Sequence, residues 1–235
     1  MSKASRQNRL TIDEAQRALY IDFEGRKDEA PVLLGCARRR GKGTKPWVWQ
    51  AVTDPLFEPL THADDDIELL DLPDAVERIL QRAEAKDRMI VAWSEHELDV
   101  VKEYCPEHLA RFEARFVNAR SVAVYWRNAC HAGDKPPTKD LPTYLALVGY
   151  DLPDGAGPGL AGETIKRVAA ALEKGRGMDG MTTDQRRRWQ QLRAHNLHDC
   201  HGMKKVCILA AAELAGRPFS PSTGRSAGSP SAIGG

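Results

Sequence analysis

The sequence predicts an α/β fold, a mixed β-sheet flanked by helices, and three observations predict it. Three short β-rich segments follow one another early in the chain, helical spacing of apolar residues begins only after them, and strand-like and helix-like segments then alternate. Residues 18–24 (ALYIDFE), 31–37 (PVLLGCA) and 46–52 (PWVWQAV) are separated by turn-like or basic stretches and read as a three-strand meander. A helix follows near Pro73, a residue suited to a first helical turn, with Val76, Ile79, Leu80 and Ala83 recurring on one face. Residues 88–93 (RMIVAW) form a continuous apolar strand, and a helix runs from about Glu95 to Cys105. A fifth strand is expected over 116–124 (FVNARSVAV), then a helix around 140–148, a Gly/Pro-rich loop at 153–162, and helices near 163–174 and 183–214.

Composition bounds what such a chain does. Its 235 residues fit one domain, expected from residue 11 to residue 215, between a flexible start (1–10) and a Gly/Ser/Pro-rich tail (216–235) with too little apolar surface to order itself. No apolar run approaches the roughly 20 residues of a membrane span, so no membrane association is expected. The start, MSKASRQNRL, lacks the apolar core of a secretory signal, which points to the cytoplasm. Five cysteines without a CxxC suit free thiols. A net charge of +1 excludes a surface that is basic throughout, so any affinity for nucleic acid must be local. No P-loop is present, so no phosphotransfer on nucleotides is expected, and no nicotinamide or flavin cofactor is expected either.

Four carboxylates stand in awkward places. In LYIDFEG, Asp22 and Glu24 are two residues apart and share a strand face, while Leu19, Ile21 and Phe23 take the other. Adjacent carboxylates in an apolar strand repel and lose hydration, and a divalent cation compensates both penalties. A solvent-facing strand with ordinary acids is the plainer alternative. Glu97, in WSEHELDVVKEYC, falls on the apolar side of its helix with Leu98, Val101, Tyr104 and Cys105, whereas Asp99 faces away. Ser94 to Glu97 also spells a capping box, a role compatible with a free second carboxylate oxygen. Asp199, in HNLHDCHGMKKVC, lies at the edge of a stripe containing Leu192, Met203, Val206 and Ala210. It needs a partner there, whether a metal, a salt bridge or a cap.

This arrangement of YIDFEG, then VLLG, then VAWSEHELDVV after a strand, then HNLHDC on a late helix resembles the three motifs of DEDD-type exonucleases in the RNase H-like superfamily. It is most similar to the DnaQ/RNase D type of 3′-5′ exonuclease domain, especially the predicted domains found beside RecB-like nuclease modules. Residues 141–153 (LPTYLALVGYDLP) look like a segment those families carry between the second and third motifs. The resemblance implies an RNase H-like sheet of five strands, with Asp22 and Glu24 on the first strand and Glu97 and Asp199 on helices facing it. It implies Mg²⁺ or Mn²⁺, two ions, held by those four acids. It implies hydrolysis of single-stranded DNA or RNA from a 3′ end, releasing nucleoside 5′-monophosphates. His195 stands four residues before Asp199, where one branch carries tyrosine, and Glu97 stands where aspartate is usual. Two cations about 3.5 to 4 Å apart suit the chemistry because charge develops on both the attacking and leaving oxygens. His195 and Asp199, at i and i+4, share a helix face, so His195 is the candidate general base, with a locally bonded histidine as the alternative.

Two basic segments carry the expected contacts to nucleic acid. Arg38, Arg39, Arg40, Lys42 and Lys45 precede Trp47 and Trp49, and Arg186, Arg187 and Arg188 precede Asp199; basic residues beside aromatics suit a phosphate backbone with stacked bases, and solvated faces are the alternative. A zinc site among His195, His198, Cys200, His201 and Cys207 is disfavoured, because on a helix the cysteines point to the apolar stripe and His198 and His201 to the opposite, solvent side. The competing functional reading is an inactive RNase H-like module that binds nucleic acid or a protein partner, motivated by the changed second acid and the missing tyrosine.

Overall fold

In a computed structural model, which describes residues 9–38, 47–62, 67–133, 138–151, 161–174 and 177–216, the chain is an α/β fold with a mixed six-stranded sheet flanked by helices. The meander is β1 (Leu19–Glu24), β2 (Leu33–Arg38) and β3 (Trp47–Val52), antiparallel throughout, with Asp22 opposite Gly35 and Cys36 opposite Trp49. Beyond β3 lies a short parallel strand, β4 (Ile67–Leu69); on the other side of β1 come β5 (Ile90–Ala92) and β6 (Phe116–Asn118), both parallel. The spatial order is β4-β3-β2-β1-β5-β6.

The helices sort by face. β1 alternates cleanly: Leu19, Ile21 and Phe23 pack with α2 (Leu72–Glu84), α3 (His96–Tyr104) and α4 (Leu109–Glu113). Before β1 stands α1 (Ile12–Arg17), opened by a Thr11 capping box. The opposite face, with Tyr20, Ala37, Val91 and Val117, is covered by α1, α5 (Ala119–Cys130), α6 (Leu141–Leu147) and the second half of the 32-residue α8 (Thr183–Leu214). The first half of α8, with α7 (Ala161–Leu172) and a 3₁₀ turn at Pro55–Leu60, closes a third apolar cluster over Leu33 and Val52. At 1.5 Å per residue α8 is roughly 48 Å long, which lets one helix run across both of these apolar clusters.

Several expectations are corrected. The sheet has six strands rather than five; β4 has only three residues, too short for an alternation to register. The strand expected over 116–124 ends at Asn118, whose side chain accepts from Ser121 N–H at 3.0 Å and so starts α5, burying Val122, Ala123 and Trp126. Leu10, assigned to the flexible start, is buried in the core. Among the cysteines, all free, Cys36, Cys105, Cys200 and Cys207 are buried but Cys130 is exposed. Most of the loop at 153–162, residues 1–8 and tail residues 217–235 lie outside the described residues. Among the described residues no helix is long and apolar enough to cross a membrane.

Candidate active site

Asp22 and Glu24 project from β1 toward α8 because the strand alternates, and α8 approaches closely because Gly35 stands opposite Asp22. A Cβ on Gly35 would lie 1.9 Å from Asn196 Oδ1, so the Asn196 amide fills the space a side chain would take. Asn196 is fully buried, and its Nδ2 donates to both the backbone oxygen and Oδ2 of Asp22, each at 2.9 Å. Gln50 on β3 fixes that amide: its Nε2 donates to Asn196 Oδ1 (3.1 Å) and to the Arg193 carbonyl (3.0 Å), while its Oε1 accepts from Arg193 Nε (3.0 Å). The buried network therefore ends on the Asp22 carboxylate.

Glu97, in the first turn of α3, is 3 % exposed. The expected capping box is only partly realised. Glu95 is the capping residue and makes no side-chain cap bond, while the Ser94 hydroxyl accepts from His96 N–H at 3.2 Å and donates weakly to Glu97 Oε2 at 3.4 Å. Asp199 projects from the middle of α8, with His195 Nε2 3.6 Å from its Oδ2. That separation is too long for a hydrogen bond, and His195 Nδ1 is buried without a partner.

The charges of Glu24, Asp199 and Glu97 all reach Asp22. Burial first, and then the charges of Glu24, Asp199 and Glu97, push the Asp22 carboxyl well above the usual carboxylate range, against the opposing hydrogen bond from Asn196. Burial and the Asp199 charge raise Glu24 to about 8. Burial raises Glu97 to about 7, tempered by local backbone and Ser94 hydrogen bonds and by Arg120, and raises Asp199 to about 6, tempered by His195. Each acid resists ionisation because the charged form is desolvated, and Asp22 and Glu24 resist further because other acids face them.

Hard carboxylate oxygens crowded in this way have the donor chemistry of a divalent-cation site. Among the described residues, however, no three His, Cys, Asp or Glu side chains are drawn together into a metal-holding group. The zinc-like run on α8 is dispersed: Cys200 and Cys207 lie in the core, and His198 Nδ1 bonds the Tyr150 hydroxyl at 2.8 Å. His198 and His201 are partly buried rather than solvent-facing, since the segment after α6 covers that side of α8, and burial lowers His201 to about 4.

Beside Glu24, the β1–β2 turn and α3 bound a cleft of about 490 Å³, with Arg26, Lys27, His96, Glu103 and Tyr104 in its walls. The described arginines of the basic segments lie elsewhere. Arg187 and Arg188 both pair with Asp184, at 2.5 and 2.7 Å, and Arg186 donates to the Met181 carbonyl. Arg38 ends β2, and Arg39, Arg40, Lys42 and Lys45 lie outside the described residues.

Sequence reasoning missed Asn196, Gln50 and Tyr150. The first two had a readable signal, being polar residues inside an apolar helix stripe and an apolar strand face. Tyr150, pushed up to about 12 by burial and by the nearby Asp199 charge, gave none, because its approach to α8 is a tertiary fact. Comparison of the chain with family models, with curated proteins and with solved structures returns no match to any of them.

Proposed function

We propose that this chain is a metal-dependent nuclease with an RNase H-like fold, a DEDD-type exonuclease that hydrolyses phosphodiester bonds of single-stranded DNA or RNA. The observation that carries the reading is the gathering of Asp22, Glu24, Glu97 and Asp199, from one strand and two helices, in a buried neighbourhood where each carboxyl is held above its usual range. Four acids retained at that cost call for a counter-charge. A meander with two parallel strands added beyond β1 also agrees with the fold that the sequence resemblance implies.

In this reading the four carboxylates hold Mg²⁺ or Mn²⁺, which when bound would stabilise charge on the attacking and leaving oxygens. The protein's own groups do the rest. Asn196 holds the Asp22 carboxylate in one rotamer, so that acid is oriented before substrate arrives. His195 Nε2, unbonded to Asp199, is placed to accept a proton from a water beside that acid. The cleft beside Glu24 falls within the roughly 300–1,000 Å³ range of small-ligand pockets and offers Tyr104, with Arg26 already paired to Glu29, to a terminal nucleotide.

The test is incubation of end-labelled single-stranded DNA and RNA with Mg²⁺ or Mn²⁺, comparing wild type with Asp22→Asn and Asp199→Asn. Wild type is expected to shorten the strand stepwise, and each variant to lose activity by more than about 100-fold, beyond the loss typical of a residue that merely supports a metal ligand. Equal activity in all three proteins, or none in wild type with either metal, would overturn the assignment.

A further inference from the structure

A second charged cluster lies on the other face of the sheet. Arg38, at the end of β2, and Arg82, on α2, hold their guanidinium carbons 5.0 and 4.3 Å from the centroid of Trp47; Arg82 and Arg78 stand 5.0 and 5.6 Å from Trp49. Arg88, just before β5, is near enough to Arg38 for their charges to repel. Against these four cations stands Glu68, which is bonded to Arg78 and to Trp49 Nε1. Arg82 Nη1 and Arg88 Nε are sealed from solvent without a hydrogen-bond partner. Burial lowers the pKa of both Arg82 and Arg88, helped at Arg88 by the Arg38 charge and opposed at Arg82 by Cys36, and among the described residues Glu68 is the one carboxylate bonded to the cluster.

The geometry separates this cluster from the acids. Arg38 and Trp47 form the last pair of the β2–β3 ladder, beyond the Tyr20 end of β1, whereas Glu24 pairs with Leu33. Five residues of strand, roughly 17 Å, therefore divide Arg38 from the Glu24 level, and the two clusters face opposite ways. Stacking changes what the tryptophans can do. With guanidiniums over the Trp47 ring and Trp49 4 % exposed, the indoles hold arginines in place rather than offering a platform to bases. A stacked guanidinium keeps its in-plane N–H edge for a phosphate.

We propose that Arg38, Arg78, Arg82 and Arg88 form a second docking surface that takes the phosphodiester backbone of a nucleic acid, away from the acids. The occupant is a polyanion rather than an apolar partner, because among the described residues Leu147 is the one exposed large hydrophobic side chain. Phosphate-directed arginines without free aromatic faces select backbone over sequence. This surface extends the proposed nuclease function but stands on binding alone.

The experiment is fluorescence anisotropy of a labelled single strand of about 20 nucleotides with the full chain in EDTA, so that hydrolysis plays no part. It is repeated between about 50 and 200 mM salt. The variants are R78E/R82E and, where that double change unfolds the protein by circular dichroism, R38Q and R88Q. R78E/R82E is expected to bind at least about 10-fold more weakly, with a log–log salt slope reduced by roughly 1.4, the value for two lost phosphate contacts on a single strand. R38Q and R88Q each reduce the slope by roughly half as much. Unchanged affinity and slope in folded variants overturns the proposal, as does equal competition by poly-glutamate of matched charge. Failure here leaves strand shortening by the acids intact, and failure of hydrolysis leaves this binding intact.

Discussion

The two faces of the sheet handle crowded like charges in opposite ways. Toward α8, Asp22, Glu24 and Asp199, together with Glu97 at the start of α3, lose hydration and retain their protons to higher pH than ordinary carboxyls. On the α2 face, Arg38, Arg78 and Arg82 remain half-exposed and spread their charge over two indoles. The difference is chemical. A carboxylate relieves strain by taking up a proton near neutral pH, whereas a guanidinium cannot lose one and must find π-electrons or anions. The acid face is therefore titratable near neutral pH, and the basic face is permanently charged.

The largest effect expected from breaking this contrast is on hydrolysis. Asp22→Asn should remove it by more than about 100-fold without lowering the melting temperature in EDTA, because the substitution deletes a repelling charge and keeps an acceptor for Asn196. A parallel loss of stability would instead mark Asp22 as a structural residue. Next comes Gly35→Ala, which pushes α8 off the sheet, since its Cβ would meet Asn196 Oδ1 at 1.9 Å. Overpacking of this kind costs about 1–3 kcal/mol, read by urea denaturation, and should displace Asn196 from Asp22. A neutral Gly35→Ala would show that the helix has room to give.

Asn196→Ala should cost a similar or smaller amount, about 1–3 kcal/mol, by leaving Gln50 and Asp22 without their buried partner. It should also move the acid limb of any pH–activity profile upward, because Asp22 loses the hydrogen bond that favours its charged form. Replacement by aspartate or leucine that leaves the profile in place would remove Asn196 from any positioning role.

The smallest effect is on the pH dependence of the metal-free protein. Folding raises Glu24 from 4.5 to about 8, Glu97 from 4.5 to about 7 and Asp199 from 3.8 to about 6. The folded chain thus binds more protons than the unfolded one, so this stability is fully present below the unfolded values and is lost as pH rises through the folded ones. His201, lowered from 6.5 to about 4, acts oppositely, but its contribution is already complete above pH 6.5. The melting temperature in EDTA should therefore fall between about pH 6.5 and 8.5, and Mg²⁺ or Mn²⁺ should flatten the decline. A flat profile in EDTA would mean that the acids are better solvated than their burial implies.

Much of this was legible beforehand for identifiable reasons. The alternation in LYIDFEG put Asp22 and Glu24 on one face, and the 3.6-residue period put Asp199 on the packed side of α8 and Asp99 on the exposed side of α3. Both are local periodicities that packing preserved. Strand β4 and helix α5 were not legible. A three-residue strand depends on a neighbour to pair with, and ARSVAV carries β-branched residues that the Asn118 cap and burial against α8 overruled. The RRR run on α8 read as a basic cluster because its counter-charge, Asp184, lies one turn earlier and acts through helix geometry.

The sequence by itself determined which residues are acidic, which faces they take on their own elements, and that the chain's basic residues come in clusters, because side-chain period follows from backbone geometry alone. Only the tertiary structure decided that the charges of Glu24, Asp199 and Glu97 all reach Asp22, that Asn196 and Gln50 brace Asp22 across Gly35, and that the tryptophans beside Arg38 stack on arginines. Those outcomes depend on how closely α8 and α2 approach opposite faces of one sheet, a distance set by side-chain volume at contacts far apart in the chain.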